Sequence, residues 1–213
     1  VMAALLALHH RKRWWLIGIL FAGVLLTRLT AWIGILFFIL TIIAEPNPWR
    51  IRLRNAVNVC IPSGIALIFL LLYNYFRFDN PLEMGYRFQQ LEALALAAAR
   101  EYGMFSFMHL AGNLYYLFIA PLNPVFADNQ GISHVLRFPY LFFNPWGLGI
   151  FFTSPYLLLL FMEKGVLRMR EQYFLLITAI VIAIPLLSYY GIGYFQYGYR
   201  YALDFFPFLF MMI

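Results

Sequence analysis

The sequence predicts an all-α, polytopic transmembrane helix bundle, and three observations carry that prediction. Hydrophobic residues make up 64% of the 213-residue chain and charged residues only 11%, with a mean hydropathy of +0.78. No soluble domain has an interior large enough to hide that much apolar surface. The apolar runs are long and do not alternate, so the backbone they carry into lipid must be satisfied within helices rather than barrel strands. Finally, basic residues gather in three clusters between apolar runs: His9-His10-Arg11-Lys12-Arg13, then Arg50, Arg52 and Arg54, then Lys164, Arg168 and Arg170.

With the three clusters on one side, the apolar runs pair into outward and returning spans. Trp14 to Leu26 leaves and Ala31 to Ala44 returns, with Thr27-Arg28 near the turn. Thirteen residues make only about 20 Å of helix against a hydrocarbon core of about 30 Å. The alternative is one overlong helix, Trp14 to Ile43, with Arg28 near its centre, which would cost a few kcal/mol and split the basic clusters between sides. The short hairpin is preferred. Val57 to Tyr75 then leaves, residues 76–147 stay outside, and Leu148 to Met162 returns. Tyr173 to Tyr190 leaves again, kinked at Pro185, and Tyr201 begins a return. The cluster side holds nine basic residues against Glu45, Glu163 and Glu171, and the other holds six arginines against six acids. The whole net charge of +6 therefore lies on one side, the positive-inside pattern, which places the basic loops in the cytoplasm of a multi-pass cell-membrane protein. That distribution argues against nucleic acid as a partner.

The outer segment carries its own structure signals. Asp79 or Asn80 can cap a helix with Pro81 at its first position and Glu83 in its first turn. Leu91 to Arg100 is rich in Leu, Ala and Glu, a strong helix former. Phe105 to Ala120 suits a helix lying at the interface, and Pro121, Pro124, Gly131, Pro139, Pro145 and Gly147 mark a looping return. Val1 to Leu8 is an apolar tail without a charged n-region, and the chain stops inside an apolar run. Residues 1–213 are thus expected to be a single membrane domain, a piece of a longer chain.

Tyr73 to Tyr86 (Tyr-Asn-Tyr-Phe-Arg-Phe-Asp-Asn-Pro-Leu-Glu-Met-Gly-Tyr) is where a lipid-suited helix turns abruptly polar and aromatic. This stretch resembles the GT-C-type membrane glycosyltransferases, in their protein-mannosyltransferase-like branch. Trp14-Trp15 leading to Leu26-Thr27-Arg28, Gly147 to Phe151 leading to Ser154-Pro155, and Gly198 to Asp204 leading to Pro207 extend the likeness along the chain. The resemblance implies a polyprenyl-phosphate-linked sugar as donor, transfer on the outer membrane face, and a catalytic carboxylate lying upstream of Val1.

A donor phosphate wants guanidinium forks at headgroup depth, and Arg28, Arg77 and Arg200 fall at outer helix ends. Each has a plain alternative in snorkelling or pairing with an acid, and Arg200 has Asp204 four residues on. Tyr86, Glu101 and His109 are candidates for the outer, acceptor-facing site. His109 and His134 suit acid–base or ligand chemistry, or simple hydrogen bonding. Glu83, Glu92, Glu101 and Asp128 offer either a divalent-cation site or a solvated face. Tyr189, Tyr190, Tyr194, Tyr197, Tyr199 and Tyr201 suit sugar stacking or an interfacial aromatic belt. No resident metal or cofactor motif is present, and the single cysteine, Cys60, excludes an internal disulfide. Two other classes compete with the enzyme: a non-catalytic subunit of a larger membrane complex, and a transporter, which would want broken polar helices at mid-membrane.

Overall fold

A computed structural model describes residues 1–11, 13–88, 94–127, 135–162, 169–193 and 196–213. The protein is mostly helical. In chain order the helices are α1 Met2–Arg11, α2 Trp14–Thr27, α3 Leu29–Trp32, α4 Ile35–Ala44, α5 Trp49–Phe78, α6 Leu94–Glu101 and α7 Leu110–Leu114. Strands β1 Asn123–Phe126 and β2 Leu136–Phe142 follow, then α8 Ile150–Thr153, α9 Leu159–Met162, α10 Arg170–Ser188 and α11 Phe206–Phe210. Among the described residues, α5 and α10 are the two helices long and apolar enough to cross a membrane.

The chain divides into two compact units. The first comprises residues 1–92, 165–182 and 204–212, and the second 93–164, 183–203 and 213.

In the first unit the expected break at Thr27-Arg28 is present. Thr27 Oγ1 donates back to the Gly23 and Val24 carbonyl oxygens at 3.1 and 3.0 Å, and Arg28 adopts extended backbone between α2 and α3. The chain reverses there: the rings of Phe21 and Phe38 meet edge to face with centroids 5.1 Å apart. A continuous helix would hold them about 25 Å apart. Ile17, Phe21 and Leu25 of α2, Phe37, Phe38 and Ile42 of α4, Val59 of α5 and Phe208 of α11 form the buried core. The α2–α5 approach is close because Gly18 has no side chain. A Cβ there would lie 2.5 Å from the Asn58 carbonyl oxygen and 2.9 Å from that of Val59, a backbone-to-backbone contact that only a small residue permits.

Helix α5 is longer than the apolar run predicts. It starts at Trp49 directly after Pro48 and takes in Arg50, Arg52 and Arg54, so this cluster is helical rather than a loop. Arginine is a good helix former, and long side chains lose little freedom there. Thirty residues give about 45 Å of helix.

Four expectations are corrected. No helix starts at Pro81. Asp79 ends α5 in a left-handed conformation, φ 53°, Asn80 Oδ1 accepts from the Leu82 N–H, and Glu83 Oε1 accepts from the Gly85 N–H. These local side-chain bonds stabilise turns in place of a helix. Leu148 to Met162 is not one helix: Ser154 lies outside the helical region (φ −144°, ψ 65°), as a residue before proline prefers, and it separates α8 from a 3₁₀ turn over Pro155–Leu158 and from α9. The segment from Tyr201 falls within a 3₁₀ turn over Arg200–Asp204, and α11 has only five residues. The protein is also not purely α. In the second unit β1 and β2 pair antiparallel, Asn123 opposite Phe142 and Phe126 opposite Leu136, because Val125, Phe126, Phe138, Tyr140 and Phe142 favour strands. Also in that unit, the helix expected over Phe105 to Ala120 is present over residues 107–119, as a 3₁₀ turn, α7 and a π-helical turn in unbroken succession. Lys12, Glu92, Asp128, His134, Glu163, Lys164, Arg168 and Tyr194 lie outside the described residues.

Gly18→Ala is expected to lower thermal stability in detergent by about 1–3 kcal/mol, because the methyl group meets backbone that cannot rotate aside. Gly23→Ala, where nothing lies within 4 Å of an added Cβ, should be neutral or slightly stabilising. Equal melting temperatures for the two variants would disprove the close α2–α5 contact.

Candidate functional site

The last turn of α5 and the loop after it form an open recess in the first unit. Arg77, Phe78, Met84, Gly85, Tyr86 and Phe88 line an open cleft of about 460 Å³. Arg77 is fixed from below: its Nη1 donates to the Tyr73 hydroxyl at 3.2 Å, and its guanidinium carbon lies 4.9 Å from the Phe78 ring centroid. Phe78 in turn stacks on Phe88, centroids 5.5 Å apart and planes within 11°.

The loop is folded back onto the helix by Asn74. This side chain is buried near the end of an apolar helix, where it must find partners or incur a desolvation cost. Its amide donates to the Pro81 carbonyl oxygen at 3.3 Å and to Met84 Sδ at 3.4 Å. Gly85, at φ 83°, lets the backbone pass beside the Phe78 ring, 3.2 Å from where a Cβ would stand. Arg77 and Tyr86, both sequence candidates, thus share one cleft.

Arg28 has a different employment. Its Nε lies 3.0 Å from Asp204 Oδ1, and Thr30 Oγ1 donates to the other carboxylate oxygen. Asp204 is 3% exposed and Arg28 40%. This corrects the expected Arg200–Asp204 pair. Residues 200–204 form a 3₁₀ turn, whose three residues per turn remove the α-helical i, i+4 alignment.

Arg200 belongs to the second unit, exposed, with its guanidinium carbon 5.3 Å from the Tyr201 ring centroid. Glu101 is exposed at the end of α6. His109 Nε2 donates to the Gly103 carbonyl oxygen at 2.9 Å, so a backbone bond occupies that nitrogen. Among the described residues no three His, Cys, Asp or Glu side chains gather as a metal site.

The second unit centres on Asn113, a residue that carries no functional signal in the sequence. It is 1% exposed. Its amide donates to the Leu187 and Tyr189 carbonyl oxygens at 2.8 and 2.9 Å, and its Oδ1 accepts from the Tyr199 hydroxyl at 3.2 Å. It therefore satisfies carbonyls released where α10 ends. Burial, and secondarily neighbouring Tyr201, push the Tyr199 phenol well above the ordinary tyrosine value, which keeps its proton on the bond to Asn113. Tyr201 packs edge-on against Tyr199 and Tyr189, Tyr189 tilts against Tyr190, and Arg100 sits over Tyr190. These tyrosines pack on one another as an aromatic cluster.

No family model, curated protein or solved structure matches this chain.

The Arg28–Asp204 geometry sets an asymmetry. Arg28→Gln leaves a buried carboxylate without its cation and should cost about 1–3 kcal/mol of thermal stability. Asp204→Asn should cost less, because the half-exposed guanidinium can turn to water. Arg200→Gln should change the melting temperature little, within about 0.5 kcal/mol for an exposed site. A loss for Arg200→Gln as large as that for Arg28→Gln would refute this pairing.

Proposed function

We propose that the chain is part of a membrane glycosyltransferase that takes a sugar from a polyprenyl phosphate carrier, with Arg77 at the donor phosphate. The observation carrying this reading is the position of Arg77: at the end of a 30-residue helix of membrane-spanning length, exposed, and on an open cleft walled by aromatic rings. A carrier lipid presents its phosphate at headgroup depth with its chain among the acyl tails. A helix end supplies the matching pair, an apolar shaft for the isoprenoid and a guanidinium for the phosphate. In sugar transfer the acceptor oxygen forms a bond to the anomeric carbon as the bond to the phosphate oxygen breaks. The leaving phosphate gains charge, which a fixed guanidinium stabilises. Tyr86 lines the same cleft, within reach of an acceptor bound there. The proposal takes residues 1–213 as a polytopic bundle, with the basic clusters cytoplasmic and residues 76–147 outside.

A second reading, a non-catalytic subunit of a larger membrane complex, is favoured by the Arg28–Asp204 pair, because one of the three cations expected at the phosphate holds the fold together instead.

Binding of a polyprenyl phosphate to the purified protein separates the two. Arg77→Gln should remove a charge-assisted bond worth about 1.5–3 kcal/mol and weaken binding about ten- to a hundredfold. Asp204→Asn should leave the affinity nearly unchanged. Unaltered lipid affinity in Arg77→Gln would rule the phosphate role out and put the subunit reading first.

Sidedness has its own check. In intact cells a cysteine at Glu101 should react with an impermeant thiol reagent added outside, and one at Met169 should not. The reverse labelling would overturn the orientation.

A further inference from the structure

The β1–β2 hairpin is built from residues that a water-exposed hairpin ordinarily lacks. Every residue of β2 is exposed, and Phe138 is 79% exposed. Side chains alternate between the two faces of a strand, so both faces of β2 lie uncovered. A groove on a partner protein would cover one face and leave the other. A lipid surface can surround both.

Three further features favour lipid. The described residues of the hairpin, 123–126 and 135–142, contain no acid, and their one charge is the exposed Arg137, the complement of a lipid phosphate. Phe138 and Tyr140, two residues apart, pack edge to face; Tyr140 has the apolar body with polar tip that settles at headgroup depth, and Phe138 adds apolar area beside it. The second unit also contains the last residues of α10, and Ser106, Asn113 and Tyr199 all bond to carbonyls there. The unit is thus built on the end of a helix of membrane-crossing length.

We infer that the β1–β2 hairpin is a non-helical membrane anchor, lying in the headgroup layer of a lipid bilayer with Phe138 and Tyr140 toward the acyl boundary and, on the opposite face, Leu141 among the headgroups and Arg137 at phosphate. Depth follows from the backbone. A two-stranded hairpin has two open edges of N–H and C=O groups, which the hydrocarbon core does not tolerate, whereas the interface hydrates them while accepting aromatic side chains. An isolated hairpin is marginal in water, and the interface supplies the missing apolar contact. This rests on the membrane reading above.

The test uses the whole chain with Cys60→Ser, reconstituted into phosphatidylcholine vesicles with and without a minor fraction of phosphatidylglycerol. Single cysteines at Phe138 and Leu141 carry an environment-sensitive fluorophore, with Ile68 on the exposed side of α5 and Glu101 on α6 as controls. Quenching lipids are labelled either near the headgroup or near the chain end. The expected result is blue-shifted emission at 138 and 141, quenched more by the shallow label than by the deep one, with Glu101 water-like and Ile68 quenched by the deep label. In the labelled background, Arg137→Gln should lower the equilibrium for insertion about fivefold in the anionic vesicles.

Water-like emission at 138 and 141 with Ile68 still quenched would overturn the anchor alone. No quenching at Ile68 would overturn the membrane reading itself. Blue-shifted emission that neither lipid quenches would mean a protein covers the hairpin, and stronger quenching by the deep label would place it in the hydrocarbon core. Either result defeats the proposal, and an unchanged Arg137→Gln equilibrium defeats its electrostatic half.

Discussion

A helix that ends in apolar surroundings leaves carbonyl groups that water cannot reach, and a chain with so few polar side chains has little to offer them. The protein meets this constraint with single buried residues. Asn113 takes the Leu187 and Tyr189 carbonyls at the end of α10, and Asn74 takes the Pro81 carbonyl in the loop that leaves α5. Asp204 plays the electrostatic counterpart at the elbow between α2 and α3, where Arg28 and Thr30 converge on it. Each of the three bonds to a place where the chain changes direction. In an apolar protein the polar residues therefore mark the corners, and the aliphatic and aromatic residues fill what the corners enclose.

The corner at Arg28 illustrates the dependence. Thr27 back-bonds to the preceding turn and Arg28 goes extended, so α4 returns beside α2 and brings Phe38 onto Phe21. That contact, with Gly18 letting α2 approach α5, forms the interior of the first unit. Neither helix of the hairpin has the length of α5 or α10, so packing must stabilise them where length does not. On α5, by contrast, the membrane-length apolar window is mostly exposed, as a shaft facing lipid would be.

Much of this was legible in the sequence for local reasons. The long apolar runs gave α5 and α10, the shortness of the runs around Thr27-Arg28 gave the hairpin, and the Ala-rich stretch gave α6. Other features escaped because their causes are not local. Asp204 and Arg28 are far apart in the chain, and proximity in sequence pointed to Arg200 instead. Asn113 reads as one polar residue in an aromatic segment, and nothing short of tertiary packing reveals that it receives the end of α10. The hairpin was hidden by Pro124 and Pro139, which signal turns strongly enough to mask the strand-forming residues between them. The break at Ser154-Pro155 was visible, but the surrounding apolar run outweighed it. The extension of α5 back to Trp49 was missed because three arginines read as a cytoplasmic loop although they are good helix formers. Of the candidate site, Arg77 and Tyr86 were found together because they lie on one short stretch.

The three arginines expected at one phosphate turn out to differ in what already holds them. Arg28 is engaged by a buried carboxylate, and taking it for an anion would strand that carboxylate, a cost that a ligand must offset. Arg200 lies over Tyr201, in the second unit. Arg77 is held by a neutral hydroxyl and two aromatic rings, Tyr73 and Phe78. A guanidinium oriented by neutral groups keeps its full charge available and is positioned before a ligand arrives, so little ordering cost remains at binding. Sequence position makes the three equivalent, at helix ends and beside aromatics. Their partners do not, and for this reason the proposed phosphate contact rests on Arg77, with Arg28 assigned to the fold.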